Sequence, residues 1–299
     1  MRDTIVKAAR EHGFAAAYFL APLPLPRWRD RASLSHTASG MDWDVPSAFP
    51  KATCVVLLVG AYLPYAREDA ILPYYIAENK GYFEAKTLAK EIAAEGFYCE
   101  SAWLPARALA LENGVGSLCR SGLLTLPEYG TRTALFTLAT DACGPCAYEA
   151  ADSSCPKGCD LCARACPTGA ISESGLDATK CLRYHMDGAA HPLFVLEKMT
   201  SFLGCDICQR VCPHNAVLEK AEPSEETCAA FDLRRLILGE TKQARALVGR
   251  NVTGGGKLTV EAIALAARER MYEAEIRAAL ASPHPAVRET ARWALEKNF

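Results

Sequence analysis

Two short cysteine-rich motifs constrain this chain more than any other feature of its sequence. The first motif, CPKGCDLCARACP, has the spacing C-x3-C-x2-C-x3-C-P and contains Cys155, Cys159, Cys162 and Cys166. The second motif, GCDICQRVCP, has the spacing C-x2-C-x3-C-P and contains Cys205, Cys208 and Cys212. Cys181 stands alone between the two motifs. Because reducing compartments keep thiols from pairing as disulfides, a chain with 14 cysteines and no recognisable export signal favours metal binding or catalysis.

The spacing of both motifs is typical of a two-cluster ferredoxin module. A cubane cluster needs four converging thiolates, and a tight cysteine-rich turn supplies three of them while its backbone amides point at the sulfurs. The fourth cysteine of each motif faces away and serves the other cluster. One cluster is therefore predicted on Cys155, Cys159, Cys162 and Cys212. The other is predicted on Cys205, Cys208, Cys181 and Cys166.

Several cysteines leave alternatives open. Four-cysteine zinc sites also use C-x2-C pairs and are the alternative to clusters. Cys143 and Cys146, in DACGPCAYE, could compete for a ligand position, but we favour Cys155 because its motif keeps four thiols on one compact turn. A spare or structural pair is a simpler interpretation of Cys143 and Cys146 than ligation or redox exchange. Cys54 is interpreted as a small buried hydrophobe. No spacing assigns the remaining cysteines, Cys99, Cys119 and Cys228.

The composition is that of an ordinary globular chain. Hydrophobic residues make up 50% of it, charged residues 23%, and the net charge of -2 excludes a globally basic nucleic-acid binder. The first stretch, MRDTIVKAAREHGF, has the pattern of an amphipathic helix and lacks the apolar core of a signal peptide. The longest apolar run, ATCVVLLVGAYL, is too short to cross a bilayer. We therefore expect a cytoplasmic protein that makes no membrane contact.

The sequence on either side of the motifs predicts two further units, since 299 residues exceed what one core organises. Upstream, ATCVVLLVGAYL and RTALFTLATD predict strands, and YFEAKTLAKEIAAEGF predicts a helix that stops at Gly96. Downstream, three Ala- and Leu-rich segments predict helices. Residues 241–299 contain ten Lys and Arg against six Glu, so they could bind a polyanion, although a solvated helix surface explains the same charges.

Taken together, these residues resemble the epoxyqueuosine reductase family, cobalamin-dependent iron-sulfur enzymes of tRNA modification that are related to the reductive dehalogenases. The resemblance rests on CPTGAI, ATKCLRYH, GCDICQRVCPHN, SPHPAVRETARWAL and, upstream, PARALALENGVGSLCRSGLL. It covers most of the chain and is strongest from 140 to 220. It implies an α+β multidomain fold. The units would be an N-terminal α/β corrinoid-type domain (1–140), a bacterial two-cluster ferredoxin-like module (141–220) and a C-terminal α-helical HEAT-like segment (221–299).

The resemblance also implies site residues and cofactors. In the family, an α/β domain holds base-off cobalamin, two 4Fe-4S clusters feed it electrons, and Co(I) attacks an activated substrate carbon. Aligning on Arg107 places Glu100 at the position of the family's proton-donating Asp, although a surface charge is the alternative interpretation of Glu100. The glycine-rich segment implies corrinoid contacts, although by itself such a segment is more often a plain turn than a ligand loop. The residues concerned are Gly114, Gly116, Ser117 and Arg120.

The chain departs from the family pattern at two places. Gly81, Tyr82 and Phe83 stand where the family has Asp-Tyr-His, and Ser117 stands where the family has Trp. Either the corrinoid pocket is altered or the substrate is different.

Two functions from different classes follow. The first is an oxidoreductase that takes electrons from a ferredoxin or flavodoxin and passes them through two clusters to a corrinoid, with a tRNA anticodon arm as a possible partner. The second is a non-catalytic electron carrier or corrinoid-reducing protein. About 140 residues upstream of the clusters exceed what two clusters need, which favours the enzyme.

Overall fold

The computed structural model of the chain describes residues 1–32, 40–66, 71–149 and 155–299. Residues 150–154, which fall within the predicted cluster module, lie outside this description. Within the described ranges, no helix is long and apolar enough to cross a membrane.

The upstream part of the chain combines a small sheet with helices. Its strands are β1 (Ala16–Leu20), β2 (Cys54–Ala61), β3 (Cys99–Ala102), β4 (Ser117–Leu118), β5 (Leu124–Thr125) and β6 (Thr133–Thr140). Its helices are α1 (Arg2–Glu11), α2 (Pro26–Ala32), α3 (Val45–Ala48), α4 (Pro73–Ala94) and α5 (Ala106–Glu112). Four strands form an antiparallel sheet in the order β1-β2-β6-β3, and β4 pairs with β5 as a separate hairpin.

The sheet is covered on both faces, which explains the unbroken apolar run of β2. Alternate residues of a strand point to opposite faces. Val56 and Leu58 pack with α1 and α4, whereas Val55 and Leu57 pack with α5 on the other face. All four side chains are fully buried, so both strands predicted from the sequence are confirmed as the centre of this sheet.

Helix α4 contains the predicted helix but begins nine residues earlier, at Pro73. Proline suits the first helical turn because its missing amide hydrogen is not needed there. The helix ends before Gly96, as predicted, and this glycine has a positive φ of 94°. Gly81 lies inside the helix, where a Cβ atom would lie 2.4 Å from the Phe136 ring, so the close packing of α4 on β6 requires glycine.

The cluster module has little regular structure. It contains β7 (Ile171–Ser172), β8 (Gly175–Leu176), α6 (Leu161–Ala165), α7 (Leu182–His185), α8 (Leu193–Lys198) and α9 (Ile207–Arg210). Helices α6 and α9, one from each cysteine motif, pack against each other.

The last part of the chain is helical, as predicted. It contains α10 (Glu225–Ala230), α11 (Leu233–Ile237), α12 (Lys242–Val248), α13 (Lys257–Arg268), α14 (Glu273–Ala278) and α15 (Pro285–Asn298). Helix α13 is buried on nearly every side. One apolar core joins these helices to Leu196 and Phe202 of the cluster module and to Tyr75 of α4. The same apolar core therefore contains residues from both sides of the predicted domain boundary at residue 220, and that boundary stays a prediction.

Candidate functional site

Cys212 of the second motif lies with the cysteines of the first motif. A small cavity is lined by Cys155, Cys159, Cys162 and Cys212, and also by Cys119 and by Cys208, which the cross-over assignment gives to the other cluster. Cys166, although it belongs to the first motif, does not line this cavity. The structure thus brings together the four thiols that the cross-over assignment gives to the first cluster.

The other four cysteines form a second group. Cys205 lies within electrostatic range of Cys181 and Cys166, and Cys208 lies within range of Cys205 and Cys181. Burial raises the pKa of Cys205 to about 11 and that of Cys208 to about 12. Bound iron would therefore have to supply the positive charge that holds these buried sulfurs as thiolates.

Backbone amides point at two of the ligand sulfurs, as the motifs predict. The Ala170 amide donates to Cys166 Sγ at 3.3 Å, and the Arg120 amide donates to Cys155 Sγ at 3.4 Å. Burial opposes ionisation of Cys166, but hydrogen bonds from the Thr168 hydroxyl and nearby amides outweigh it and lower its pKa. Such donors stabilise thiolate ligands and tune cluster potentials.

The thiol arrangement suits clusters better than single zinc ions. Within the described part of the chain, no three His, Cys, Asp or Glu side chains are arranged to hold a metal ion. A cubane separates its ligand sulfurs more widely than a single tetrahedral ion does, since each sulfur binds a different iron. The residues present therefore fit two clusters, which agrees with the preferred interpretation of the motifs.

The second motif is fixed to the sheet by a buried ion pair. Asp206 accepts a hydrogen bond from Arg132 at 2.9 Å and another from Arg210 at 2.6 Å, and the side chains of Asp206 and Arg132 are less than one tenth exposed. Next to it, the Gln209 amide donates to the Thr131 carbonyl at 2.7 Å. These contacts set the position of the second motif relative to the start of β6. Sequence reasoning missed the Arg132–Asp206 pair because Asp206, although it lies inside the second motif, is 74 residues from Arg132 in the chain.

A second set of contacts fixes the residues just before Cys205. Leu203 has a positive φ of 66°, which is unusual for a residue other than glycine. Its amide donates to Glu261 Oε2 at 2.8 Å, and its carbonyl accepts a hydrogen bond from the Tyr75 hydroxyl at 2.9 Å. Helices α4 and α13 thus hold this strained residue from both sides.

The glycine-rich segment forms one wall of the first cysteine group. Gly116 has a positive φ of 70°, and a Cβ atom there would lie 2.5 Å from the Thr125 carbonyl, so hairpin packing requires glycine. Ser117 is buried in the hairpin opposite Thr125. Arg120 adjoins the cluster cavity through its amide contact with Cys155. The corrinoid contacts proposed for Gly114, Gly116, Ser117 and Arg120 stay predictions.

Cys119 is a fifth thiol at the first cysteine group. It lines the same cavity, is buried, and is hydrogen-bonded to Cys155, Cys212 and the Thr125 hydroxyl. Its spacing from the motifs gave no signal. Its position inside the glycine-rich segment could have indicated it.

Glu100, the candidate acid, is exposed on the edge strand β3. It pairs with Ala139 and points to the same face of the sheet as Ala102, which packs near α5 and the glycine-rich segment. Ala139 lies close to the end of β6 that is remote from Arg132 and the cluster motifs. The catalytic role of Glu100 stays a prediction.

Comparison with known proteins defines the class of the cysteine-rich region. Residues 154–215 match the family described as the 4Fe-4S double cluster binding domain. The chain therefore contains a two-cluster 4Fe-4S domain, as the motifs predicted. No curated protein sequence matches the chain.

Solved structures extend the comparison to the whole chain. The epoxyqueuosine reductase from Streptococcus thermophilus has a TM-score of 0.79 at 22% identity, over 99% of this chain and 89% of that chain. The enzyme from Bacillus subtilis, whose catalytic aspartate loop is swung out of the active site, has a TM-score of 0.75 at 22% identity over 98% of this chain and 89% of that chain.

An epoxyqueuosine reductase structure with an epoxyqueuosine-modified tRNA stem loop gives a TM-score of 0.78 at 21% identity, again over 98% of this chain and 89% of that chain. The resemblance seen in the sequence is confirmed at the level of the fold, and this chain has the fold of the epoxyqueuosine reductases.

Proposed function

We propose that this protein is an iron-sulfur oxidoreductase that passes electrons through two 4Fe-4S clusters to a bound corrinoid for a reductive deoxygenation like that of epoxyqueuosine in tRNA. The observation that carries the proposal is the position of Cys212, which lies in the cavity of the first motif's cysteines. Each cluster then takes one ligand from the other motif, so the two clusters lie close enough for electrons to pass between them.

The residues that would adjoin a bound corrinoid lie beside the first cysteine group. Arg120 and the exposed Leu118 belong to the segment that forms a wall of the first cysteine group, so a group bound against them would lie beside the first cluster. Gly116 and Ser117 are occupied by hairpin packing instead. A bound corrinoid would supply the two-electron nucleophilic chemistry that no side chain provides.

The chain's own residues then have three tasks. Eight cysteines hold the clusters, while the Arg132–Asp206 pair and the Glu261–Leu203 contact orient the second motif. Cys119 is buried beside the sulfurs of the first group and excludes water from them. Glu100 supplies the proton that the released oxygen takes up, which requires it to approach the substrate from its exposed edge strand.

A tRNA substrate is supported by unpaired charge in the C-terminal part of the chain. Five exposed basic side chains between 241 and 299 make no hydrogen bond or ion pair with the described part of the chain: Lys242, Arg245, Arg250, Arg270 and Arg292. Free cations of this kind gain most from neutralising phosphates. The related structure with a tRNA stem loop supports the same partner class. A ferredoxin or flavodoxin would supply the electrons.

Three measurements on anaerobically purified protein test this function. Iron and acid-labile sulfide should each be about eight per chain. Added cobalamin should then bind in its base-off form, and an epoxyqueuosine-containing stem loop should be converted in the presence of a reductant. Clusters without corrinoid affinity would favour the electron carrier, and stoichiometric zinc with little sulfide would refute both functions.

A further inference from the structure

Four cysteines outside the two ligand groups gather at one end of the sheet. Cys54 begins β2 and Cys99 begins β3, and each is the register partner of Thr140 on β6. Cys143 and Cys146 follow β6 directly. All four belong to the apolar core beneath α1 and α4. The arrangement brings CGPC, which the sequence left as a spare pair, next to a buried thiol of the central strand.

Cys54 and Cys143 are in direct contact. Their side chains are hydrogen-bonded to each other, and the Thr53 hydroxyl donates to the Cys143 carbonyl at 2.9 Å, which holds the two backbones together. Cys54 is fully buried, whereas Cys143 is half-buried and reachable from solvent. The contact with Cys54 lowers the pKa of Cys143 against the opposing effect of burial, and the Arg2 charge acts in the same direction.

The loop that carries Cys143 is fixed from outside. Arg2 donates to the Gly144 carbonyl at 2.9 and 3.1 Å and to the Pro145 carbonyl at 3.0 Å. The Cys146 amide donates to the Phe19 carbonyl at 2.8 Å, which holds Cys146 against β1. Cys143 is thereby kept beside Cys54, while Cys146 is tied to a different strand.

We propose that Cys143 and Cys54 form a thiol-disulfide exchange site that is independent of the two clusters. The Cys143 thiolate attacks one sulfur of an external disulfide such as glutathione disulfide, breaks its S–S bond and releases one thiolate. The Cys54 thiol then gives up its proton, attacks Cys143 Sγ and expels the second thiol. One Cys54–Cys143 bond forms, the external S–S bond breaks and two electrons pass to the external disulfide. Its two thiols take up the proton of Cys54 and the proton that Cys143 lost on ionising.

Two features favour exchange chemistry over another role. The side chains of Cys54 and Cys143 are in direct contact with each other. A solvent-reachable thiol with a lowered pKa beside a buried partner is the usual arrangement for disulfide exchange. Strand β6, eight residues and about 26 Å long, separates this site from the cluster motifs at its other end, so oxidation here leaves the ligands untouched.

Disulfide mapping of the full chain with its clusters in place tests the proposal. The protein is treated anaerobically with glutathione disulfide, free thiols are alkylated, and tryptic peptides are analysed by mass spectrometry. We expect peptide 52–67, whose one cysteine is Cys54, to be joined to peptide 133–157, with the visible absorption of the clusters unchanged. An unlinked peptide 52–67 overturns the proposal, whether it accompanies an internal Cys143–Cys146 bond or a glutathione adduct.

Two matched variants assign the second sulfur, because peptide 133–157 also contains Cys146 and Cys155. The link should persist in Cys146→Ser and disappear in Cys143→Ser. If the link instead persists in Cys143→Ser and disappears in Cys146→Ser, Cys146 is the partner of Cys54 and the assignment to Cys143 is wrong. The wild-type link itself needs no substitution, so the proposal remains testable even if a variant folds poorly.

Discussion

The Glu261 carboxylate accepts a hydrogen bond from the Leu203 amide at 2.8 Å, and so joins the most buried helix of the protein to the residue two positions before Cys205. The same carboxylate lies 3.1 Å from His191 Nε2 and 3.9 Å from Lys257 Nζ, and none of the three side chains is more than 3% exposed. Burial lowers the pKa of Lys257, and Glu261 opposes this. One carboxylate therefore compensates a buried cation and holds a strained backbone.

Replacing this carboxylate should destabilise the protein and its second cluster together. Glu261→Gln keeps the shape but leaves Lys257 without its counter-charge, a loss of about 3–5 kcal/mol for a buried pair. We expect a melting temperature lower by several degrees and reduced iron content. Glu269→Gln, an exposed change at the end of the same helix, is the control. A Glu261→Gln protein as stable as this control would show that the carboxylate is dispensable.

The cross-over assignment predicts which cluster each cysteine serves. Cys212→Ser should damage the cluster of Cys155, Cys159 and Cys162, because Cys212 lines their cavity although it belongs to the second motif. Electron paramagnetic resonance of the reduced protein should show the signal of one cluster altered and the other retained. Cys166→Ser is the matched variant and should affect the other cluster. Damage confined to the cluster of Cys205 and Cys208 in Cys212→Ser would refute the assignment.

Cys119 should tune the first cluster without holding it. Cys119 is hydrogen-bonded to Cys155 and Cys212, and once these two bind iron as thiolates the single S–H of Cys119 is left to donate to one of them. Cys119→Ala removes that donor, and loss of a donor to a ligand sulfur makes a cluster harder to reduce. We expect about eight iron per chain and a more negative potential in a redox titration. Cys228→Ala, which changes a half-buried cysteine elsewhere, should leave the potential unchanged. A loss of about four iron in Cys119→Ala would instead make Cys119 a ligand.

The sequence predicted the features that depend on local pattern. The cysteine spacings, the apolar run of β2 and the stop of α4 at Gly96 each follow from residues close together in the chain. What it missed depends on contacts between distant residues. Cys119 reaches Cys212 only because the hairpin of β4 and β5 packs on the cluster module. Glycine is required at position 81 of helix α4 because the Phe136 ring leaves no room there for a side chain. Neither contact leaves a periodic signal.

The C-terminal arginines should divide into a structural and a binding class. Arg288 donates to the Ser282 carbonyl at 2.7 Å and is partly buried, whereas Arg292 is exposed and makes no contact of this kind. Arg292→Ala should weaken binding of a tRNA stem loop and reduce the salt slope by about one, since each phosphate contact releases about one counterion. Arg288→Ala should mainly lower the melting temperature. If Arg292→Ala binds the stem loop as tightly as the parent protein, Arg292 is a solvated surface charge and does not contact tRNA.

Glu100 is where the family resemblance and the local structure disagree most. The resemblance gives it the proton-donating role, but the side chain is exposed on an edge strand. If it acts, substrate must cover it and supply the desolvation. Glu100→Gln preserves size and removes the ionisable proton, so it should slow single turnover of a confirmed substrate by about 10² to 10⁴ while cluster content and corrinoid binding stay unchanged.

Two further variants make that result specific to Glu100. Glu100→Asp should keep part of the activity, because it restores a carboxyl group with a shorter reach, and Glu95→Gln, an exposed change just after α4, should have no effect. The rate of the Glu100→Asp protein should also keep the pH dependence that Glu100→Gln loses, which a merely structural residue would not produce. If Glu100→Gln turns over at the parent rate, the proton comes from water or another residue, and the similarity to the family does not extend to this position.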